Sequence, residues 1–179
     1  MKGKILFTLL LLCGTAALVL NPQEPIPREY EIKALMLARF PIYIHWPESS
    51  GVYDKSKPFV IGVIGENPFD GMLEQTLAGQ KILDKKGKIK FFTSPEEISG
   101  CDILFIAGSA EPDLRIILDT VKNKPILTVG DTPGFAQKGV IINLYIEEGQ
   151  AKFEINVRAL FHASLMVDHR MLKLARIVN

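Results

Sequence analysis

Few residues in this chain have the type and spacing that chemistry needs. Gly62-Val63-Ile64-Gly65, followed by Glu66-Asn67-Pro68, is the one strand-to-helix turn that resembles a nucleotide cradle. It lacks the further glycine of a dinucleotide fingerprint and the Gly-Lys-Ser/Thr of a phosphate loop. Pro68 also removes a backbone donor where a phosphate would want one. The imidazoles are His45, His162 and His169, the last two seven positions apart and close only on a continuous helix. With no His-x-x-x-His and no third ligand in register, no metal site is expected. Ser94, Ser109 and Ser164 lack the Gly-x-Ser-x-Gly elbow, and Cys101 has no basic neighbour in sequence to hold a thiolate. Asp102 opens a strand, and Asp131 sits in the turn sequence Gly130-Asp131-Thr132-Pro133-Gly134. The expectation is therefore an inert body with no catalytic, cofactor or metal residues.

Two kinds of binding remain open. A small ligand, if one binds, would meet an open α/β sheet at its C-terminal strand ends, here Gly65, Glu66, Gly108, Gly130 and Asp131. A protein partner would meet aromatic anchors in Pro- or Gly-bounded segments: Tyr43, Trp46, Phe69 and Phe135. The alternative for those aromatics is core packing, with Trp46-Pro47 capping the interior after the first helix.

The elements that would position these residues follow from periodicity. Apolar positions from Arg28 to Phe40 fall at helical spacing, with Glu29, Glu31, Lys33 and Arg39 available for solvent. Phe59 to Ile64 is unbroken and β-rich, which marks a strand buried on both faces. A helix over Phe69 to Leu77 with a stop at Gly79 makes the first βα unit. Strands at Ile89–Phe92, Asp102–Ala107 and Pro125–Val129 alternate with a helical turn at Pro95–Ile98 and a helix at Pro112–Val121. Val140–Ile146 and Ala151–Val157 flank the turn Glu147-Glu148-Gly149-Gln150 and form a hairpin. Two closing helices are expected at Arg158–Met166 and His169–Ile177, with Leu160, Phe161, Leu165, Met171, Leu172, Leu174 and Ile177 inward. The fold class is α/β, a three-layer α/β/α sandwich with a mostly parallel sheet and a C-terminal antiparallel hairpin edge.

Length and composition agree. The 179 residues, 47% hydrophobic and 23% charged, suit one globular domain. A formal charge of +1 offers no broad basic field for nucleic acid, which is not expected as a partner. Lys2 and Lys4, the apolar run Ile5–Leu12 and the small residues Gly14 to Ala17 have the layout of a secretory signal. A membrane anchor is the alternative, since Leu18 to Leu20 prolong the run, but Gly14, Thr15 and Asn21-Pro22 leave it short. Cys13 has the preceding leucines of a lipidated cysteine, yet Leu12 stands where a small residue is wanted. The expected organisation is a leader at 1–20, a Pro-rich spacer at 21–28 and a single domain at 29–179. Loss of Lys2 and Lys4 takes the formal charge from +1 to −1 and leaves Cys101 as the only thiol.

Together these segments resemble the YfiR family of small periplasmic regulators. The marks are Lys33-Ala34 through Phe40 to Trp46-Pro47, Ile61 to Phe69, Cys101 to Ile106, Pro125 to Asp131, Gly134-Phe135, Ile142-Asn143, Phe153 to Asn156 and Leu172 to Val178. The resemblance implies an exported, non-catalytic protein that binds the periplasmic sensor portion of an inner-membrane diguanylate cyclase. It would hold the cyclase's cytoplasmic output inactive, lowering cyclic di-GMP and biofilm formation. Family members commonly form homodimers, and some carry disulfides; here Gly62 stands where a partner for Cys101 would be expected. The alternative function is a periplasmic small-molecule-binding or enzymatic domain using the strand-end cleft.

Overall fold

The run Phe59–Ile64 is apolar at every position because both of its faces are covered. Phe59, Ile61 and Val63 enter one core with Ile103, Phe105, Leu127 and Val129; Val60 and Ile64 enter a second with Leu104 and Ile106. Period-two alternation thus sends successive side chains into two separate apolar layers rather than into core and solvent.

The computed structural model describes residues 26–179. The expected leader at 1–20 and spacer residues 21–25 lie outside the described residues. Helix α1 spans Ile26–Arg39 and so includes Pro27 in its first turn, a position where the missing N–H costs nothing. A 3-10 turn at Phe40–Tyr43 leads into β1 (Ile44–His45), and after a loop come β2 (Phe59–Ile64), α2 (Met72–Leu77), β3 (Lys81–Ile82) and β4 (Lys85–Phe92). Next are β5 (Ile103–Ile106), a 3-10 turn at Gly108–Asp113 running into α3 (Leu114–Val121), and β6 (Leu127–Gly130). The hairpin β7 (Ile142–Glu147) and β8 (Gln150–Asn156) precedes α4 (Val157–His162), β9 (Met166–Val167), α5 (His169–Leu172) and β10 (Arg176–Val178).

Eight strands form one sheet in the order β10-β8-β7-β6-β5-β2-β4-β3. Pairing is parallel from β4 through β7 and again between β8 and β10; the β7–β8 hairpin and the short β3–β4 pair are antiparallel. Helices α1 and α2 cover the face of Phe59, Ile61 and Val63, and α3 covers the other through Leu114, Ile117 and Val121. The expected three-layer α/β sandwich with its C-terminal hairpin is what the chain forms. Asp102 ties two central strands: its Oδ2 accepts from the Val60 N–H at 2.7 Å while its own N–H donates to Val60 O at 2.8 Å.

The closing segment departs from expectation. Two helices were predicted through 158–166 and 169–177, whereas α4 and α5 are short and Met166–Val167 and Arg176–Val178 are strands. Asn156 caps α4 by accepting from Ala159 N–H, and Ser164 at φ +55° ends that helical stretch. Asp168 starts the next by accepting from Arg170 N–H. Strand β9 pairs with β1, and β10 takes the outer edge beside β8. Leu160, Leu165 and Met171 are buried as expected, but Phe161 is 78% and Leu174 76% exposed, and Ile177 is also exposed. The predicted helix from Phe69 starts only at Met72, because Asp70 and Gly71 both adopt positive φ. Strand β3 and the first half of β4 were not anticipated, since Lys81, Lys85, Lys86 and Lys88 obscure the apolar signal.

Two outcomes follow from this packing. Trp46 is buried, sets its ring edge-on to Phe59 at 5.9 Å, and donates from Nε1 to Pro125 O at 3.0 Å. Trp46→Ala is expected to lower stability by about 3–5 kcal/mol in urea unfolding, from lost burial and an orphaned carbonyl. At Gly62 an added Cβ would lie 3.3 Å from Cys101 Cβ and 2.6 Å from Phe92 Cε2. Disulfides hold Cβ atoms about 3.5–4.5 Å apart, so Gly62→Cys should oxidise to a bridge with Cys101 once the Phe92 ring shifts. Thiol titration after mild oxidation should find neither cysteine free in the folded chain.

Candidate partner-docking surface

The parallel strands bring the predicted strand-end residues together, since Ile64, Ile106 and Gly130 are in register and the chain turns just beyond them. The place where a small ligand would sit is filled by the protein itself. Lys33 of α1, only 2% exposed, reaches down to Asp131 Oδ2 at 2.7 Å and also pairs with Glu29. The Lys33 ammonium lies 4.5 Å from the centre of the Tyr30 ring, and that ring meets Phe69 edge-on at 5.6 Å. Burial, then the Asp131 charge, holds the Tyr30 hydroxyl well above the usual phenol range, so it stays protonated.

The glycines here serve close packing. A Cβ on Gly65, which has φ +92°, would fall 2.7 Å from Ser109 Oγ, and one on Gly130 would fall 2.6 Å from the Phe135 ring. Gly108 stands against Thr132, where a Cβ would come within 3.0 Å of Oγ1. The Glu66 N–H donates to Ser109 Oγ at 2.7 Å, while the Glu66 residue is exposed at the rim. The surface cavities described below are lined by none of the five residues predicted for a ligand cleft.

The other chemistry-bearing candidates have structural surroundings. Burial, then the neighbouring Asp102 charge, pushes the Cys101 thiol up to about 12, which leaves it a small core hydrophobe. Asp102 is itself raised, mainly by burial. Ser94 caps a 3-10 turn. His162 ends α4 and His169 begins α5, so the two are not on one helix. Among the described residues no three His, Cys, Asp or Glu side chains are grouped to hold a metal ion.

Of the four aromatic partner candidates, the structure buries three. Trp46, Phe69 and Phe135 all belong to the core; Phe69 and Phe135 are wholly enclosed, while an edge of Trp46 lines a surface depression. Their Pro- and Gly-bounded settings mark tight turns that press the rings inward rather than loops that display them. Phe69, for example, is held between Tyr30 and Phe105, the latter ring 4.8 Å away. Tyr43 remains accessible, half-buried beside an apolar groove.

That groove is built by a second stripe on α1. Ala34, Leu37 and Ala38 point to the core, whereas Ile32, Leu35, Met36 and Arg39, also at helical spacing, face the C-terminal segment. Phe40, Tyr43, Phe153, Met171 and Leu174 complete a cavity of about 300 Å³. Its rim carries Arg39 and Arg170. The Arg170 guanidinium stands 5.6 Å from the Tyr43 ring centre and is held by two bonds to Asp168, 3.0 Å from Nε to Oδ1 and 2.9 Å from Nη2 to Oδ2. Those hydrogen bonds keep the Asp168 carboxyl well below the usual range.

Across the β1–β9 ribbon lies a second depression lined by His45, Trp46, Phe161, His162 and Met166. Leu35, Ile42, Phe161, Met166 and Leu174 are all exposed on the elements around these two hollows. Exposed large apolar side chains gathered in this way mark an interaction surface more readily than a solvated one. Of the residues lining the two hollows, the sequence flags Tyr43 and Trp46 as partner contacts. The available signal for the groove was the double apolar stripe of α1.

No helix among the described residues is long and apolar enough to cross a membrane. A family model described as YfiR/HmsC-like matches residues 30–176. Comparison with curated proteins gives no match. Among solved structures the chain is similar to the ABC domain from Streptococcus pneumoniae in complex with L-Trp, with a TM-score of 0.51 at 12% identity over 73% of this chain. It is similar also to a conserved domain protein from Vibrio cholerae, with a TM-score of 0.51 at 11% identity over 72% of this chain. The likeness in both cases is one of fold, and this chain spans 60% and 57% of those two chains.

The buried ion pair gives a direct test of the sealed cleft. Lys33→Ala leaves the Asp131 carboxylate without its cation and should cost about 3–5 kcal/mol in urea unfolding. Combining it with Asp131→Asn should recover part of that loss, because the stranded charge is then removed.

Proposed function

Because the chain belongs to the YfiR/HmsC-like family, we propose that it is an exported regulatory protein that binds the periplasmic portion of an inner-membrane diguanylate cyclase and holds it inactive. Cyclic di-GMP, and with it biofilm formation, is low while the complex persists. In this reading residues 1–20 direct export and the working domain is 29–179, with the expected spacer at 21–28 shortened at its end because Ile26, Pro27 and Arg28 already belong to α1. No substrate is turned over. The function requires only that the protein bind the inactive conformation of the cyclase more tightly than the active one. A hundredfold preference, about 2.7 kcal/mol, is the scale needed to change output substantially.

The observation that carries this reading is the exposed apolar face around the groove of α1 and the C-terminal segment. Leu174, 76% exposed, and Leu35 stand at its mouth, and burying one such side chain contributes about 1.5–3 kcal/mol. One or two contacts of this kind suffice for the preference above. The alternative, a small ligand in the strand-end cleft, meets Lys33, Tyr30 and Phe69 already occupying that place.

The mature chain recovered from the cell envelope is expected to carry a diguanylate cyclase with it, and deletion of the protein to raise cyclic di-GMP. Leu35→Glu and Leu174→Glu should each weaken that capture about tenfold or more while leaving the thermal midpoint within a few degrees, since both side chains already face solvent. Unchanged capture by both variants would remove the groove from the interface. Absence of any cyclase, with cyclic di-GMP unaltered on deletion, would sink the regulatory reading itself.

A further inference from the structure

The sheet ends differently on its two sides. Strand β10 covers the hairpin at one edge, but at the other β3 pairs only Lys81 with Lys86 and Ile82 with Lys85. From Gly87 to Phe92, β4 is bonded to β2 on its inner side and, among the described residues, carries no strand on its outer side. This leaves a six-residue template of main-chain donors and acceptors, about the length of an ordinary strand.

The two faces of that edge differ in character. Ile89 and the 53% exposed Phe91 point to the side of α2, where with Leu77, Ala78 and Gly87 they form the apolar part of a hollow of about 630 Å³ that Glu74, Lys81 and Lys86 also line. Lys86 and Lys88 alternate with them, and Lys86 and Lys88 meet Lys55 and Lys57 around a second, basic hollow of about 530 Å³. Lys55 and Lys57 have carboxylate partners in Asp84 and Asp54, but among the described residues neither Lys86 nor Lys88 makes a salt bridge. In a chain of nearly zero net charge this is a concentrated positive strip.

We propose that the free edge of β4 receives an extended segment of a partner protein, added as a further strand, in which acidic and apolar residues alternate. The apolar side chains enter the hollow beside α2, and the carboxylates lie along Lys86 and Lys88. Main-chain hydrogen bonds give the binding its strand geometry, and the alternation gives it selectivity. A second copy of this chain is a poor occupant, because pairing two such edges opposes lysine to lysine. Lysines on an edge repel unselected strands; a segment carrying carboxylates at every second position converts that repulsion into attraction. This surface lies at the sheet edge remote from the groove of α1, so the proposal stands apart from the regulatory reading.

The test uses a labelled nine-residue peptide alternating Glu with Val and Ile, titrated into the mature chain at low ionic strength and followed by fluorescence anisotropy. Saturable binding is expected, weakened about tenfold or more by Lys86→Glu with Lys88→Glu, and about as much by N-methylating alternate peptide amides, which keeps the charges but removes main-chain donors. Hydrogen exchange should slow at Gly87–Phe92, and Leu174→Glu should bind the peptide as the parent does. Equal binding of the N-methylated peptide, equal binding of a peptide alternating Lys with Val and Ile, or no binding would overturn the proposal. So would a dimer in sedimentation that Lys86→Glu dissolves.

Discussion

The contact on which the arrangement depends is the buried pair of Lys33 and Asp131. It joins the middle of the first helix to the end of β6, ninety-eight positions later in the chain. Two charges removed from water are costly unless each is well partnered, and this pair has the necessary support. Glu29 offers Lys33 a second carboxylate one helical turn away, and the Tyr30 ring lies against the ammonium. Apolar packing between a helix and a sheet tolerates sliding and rotation; a charge pair of this kind does not. Burial therefore brings α1 onto the sheet, and the ion pair fixes which of its faces points where.

That constraint decides what the rest of the molecule can do. With Lys33 inserted at the strand ends, the customary ligand position of an open α/β sheet is closed by the chain's own side chains. The same rotation of α1 turns Ile32, Leu35, Met36 and Arg39 toward Tyr43, Phe153 and the C-terminal segment, where they form a groove that nothing among the described residues fills. Sealing one site and opening the other are consequences of one helix orientation. The short strands β1 and β9 hold the far wall of the groove in place, with Asp168 N–H bonded to Tyr43 O at 2.8 Å.

The layers of the fold were legible from local pattern, because short, β-rich apolar runs such as Phe59–Ile64 and Ile103–Ala107, bounded by turn residues, fit doubly covered strands. The hairpin and its turn were equally plain. What escaped was whatever depended on contacts distant in sequence. Leu174 and Ile177 read as the inner face of a helix until β8 supplies an edge on which Arg176–Val178 can pair. Phe161 stands four residues before buried Leu165, but the helix ends at His162, so that spacing no longer places the two on one face, and α4 buries Leu160 instead. The partner site suffered the opposite error: aromatic residues beside Pro and Gly suggested display, but Trp46, Phe69 and Phe135 fill the core. Lys33 reads, with Glu29, Glu31 and Arg39, as available for a wet face, and only the distant Asp131 explains its burial.

The two edges of the sheet show how the chain divides attraction from repulsion. At the C-terminal edge, Arg176 of β10 bonds both Glu147 and Glu154 and lies over the Tyr145 ring at 4.6 Å, so charges that β10 brings in are satisfied within the chain. At the opposite edge the charges of β4 are left uncompensated and the main chain is left bare. An unpaired strand without charge would recruit any extended chain, including its own copies, whereas one with like charges at alternate positions excludes its copies and most other strands. The lysines therefore act as a filter whose sign and period are both fixed by β4. The charges that keep copies apart thus also define the one pattern of strand that can approach.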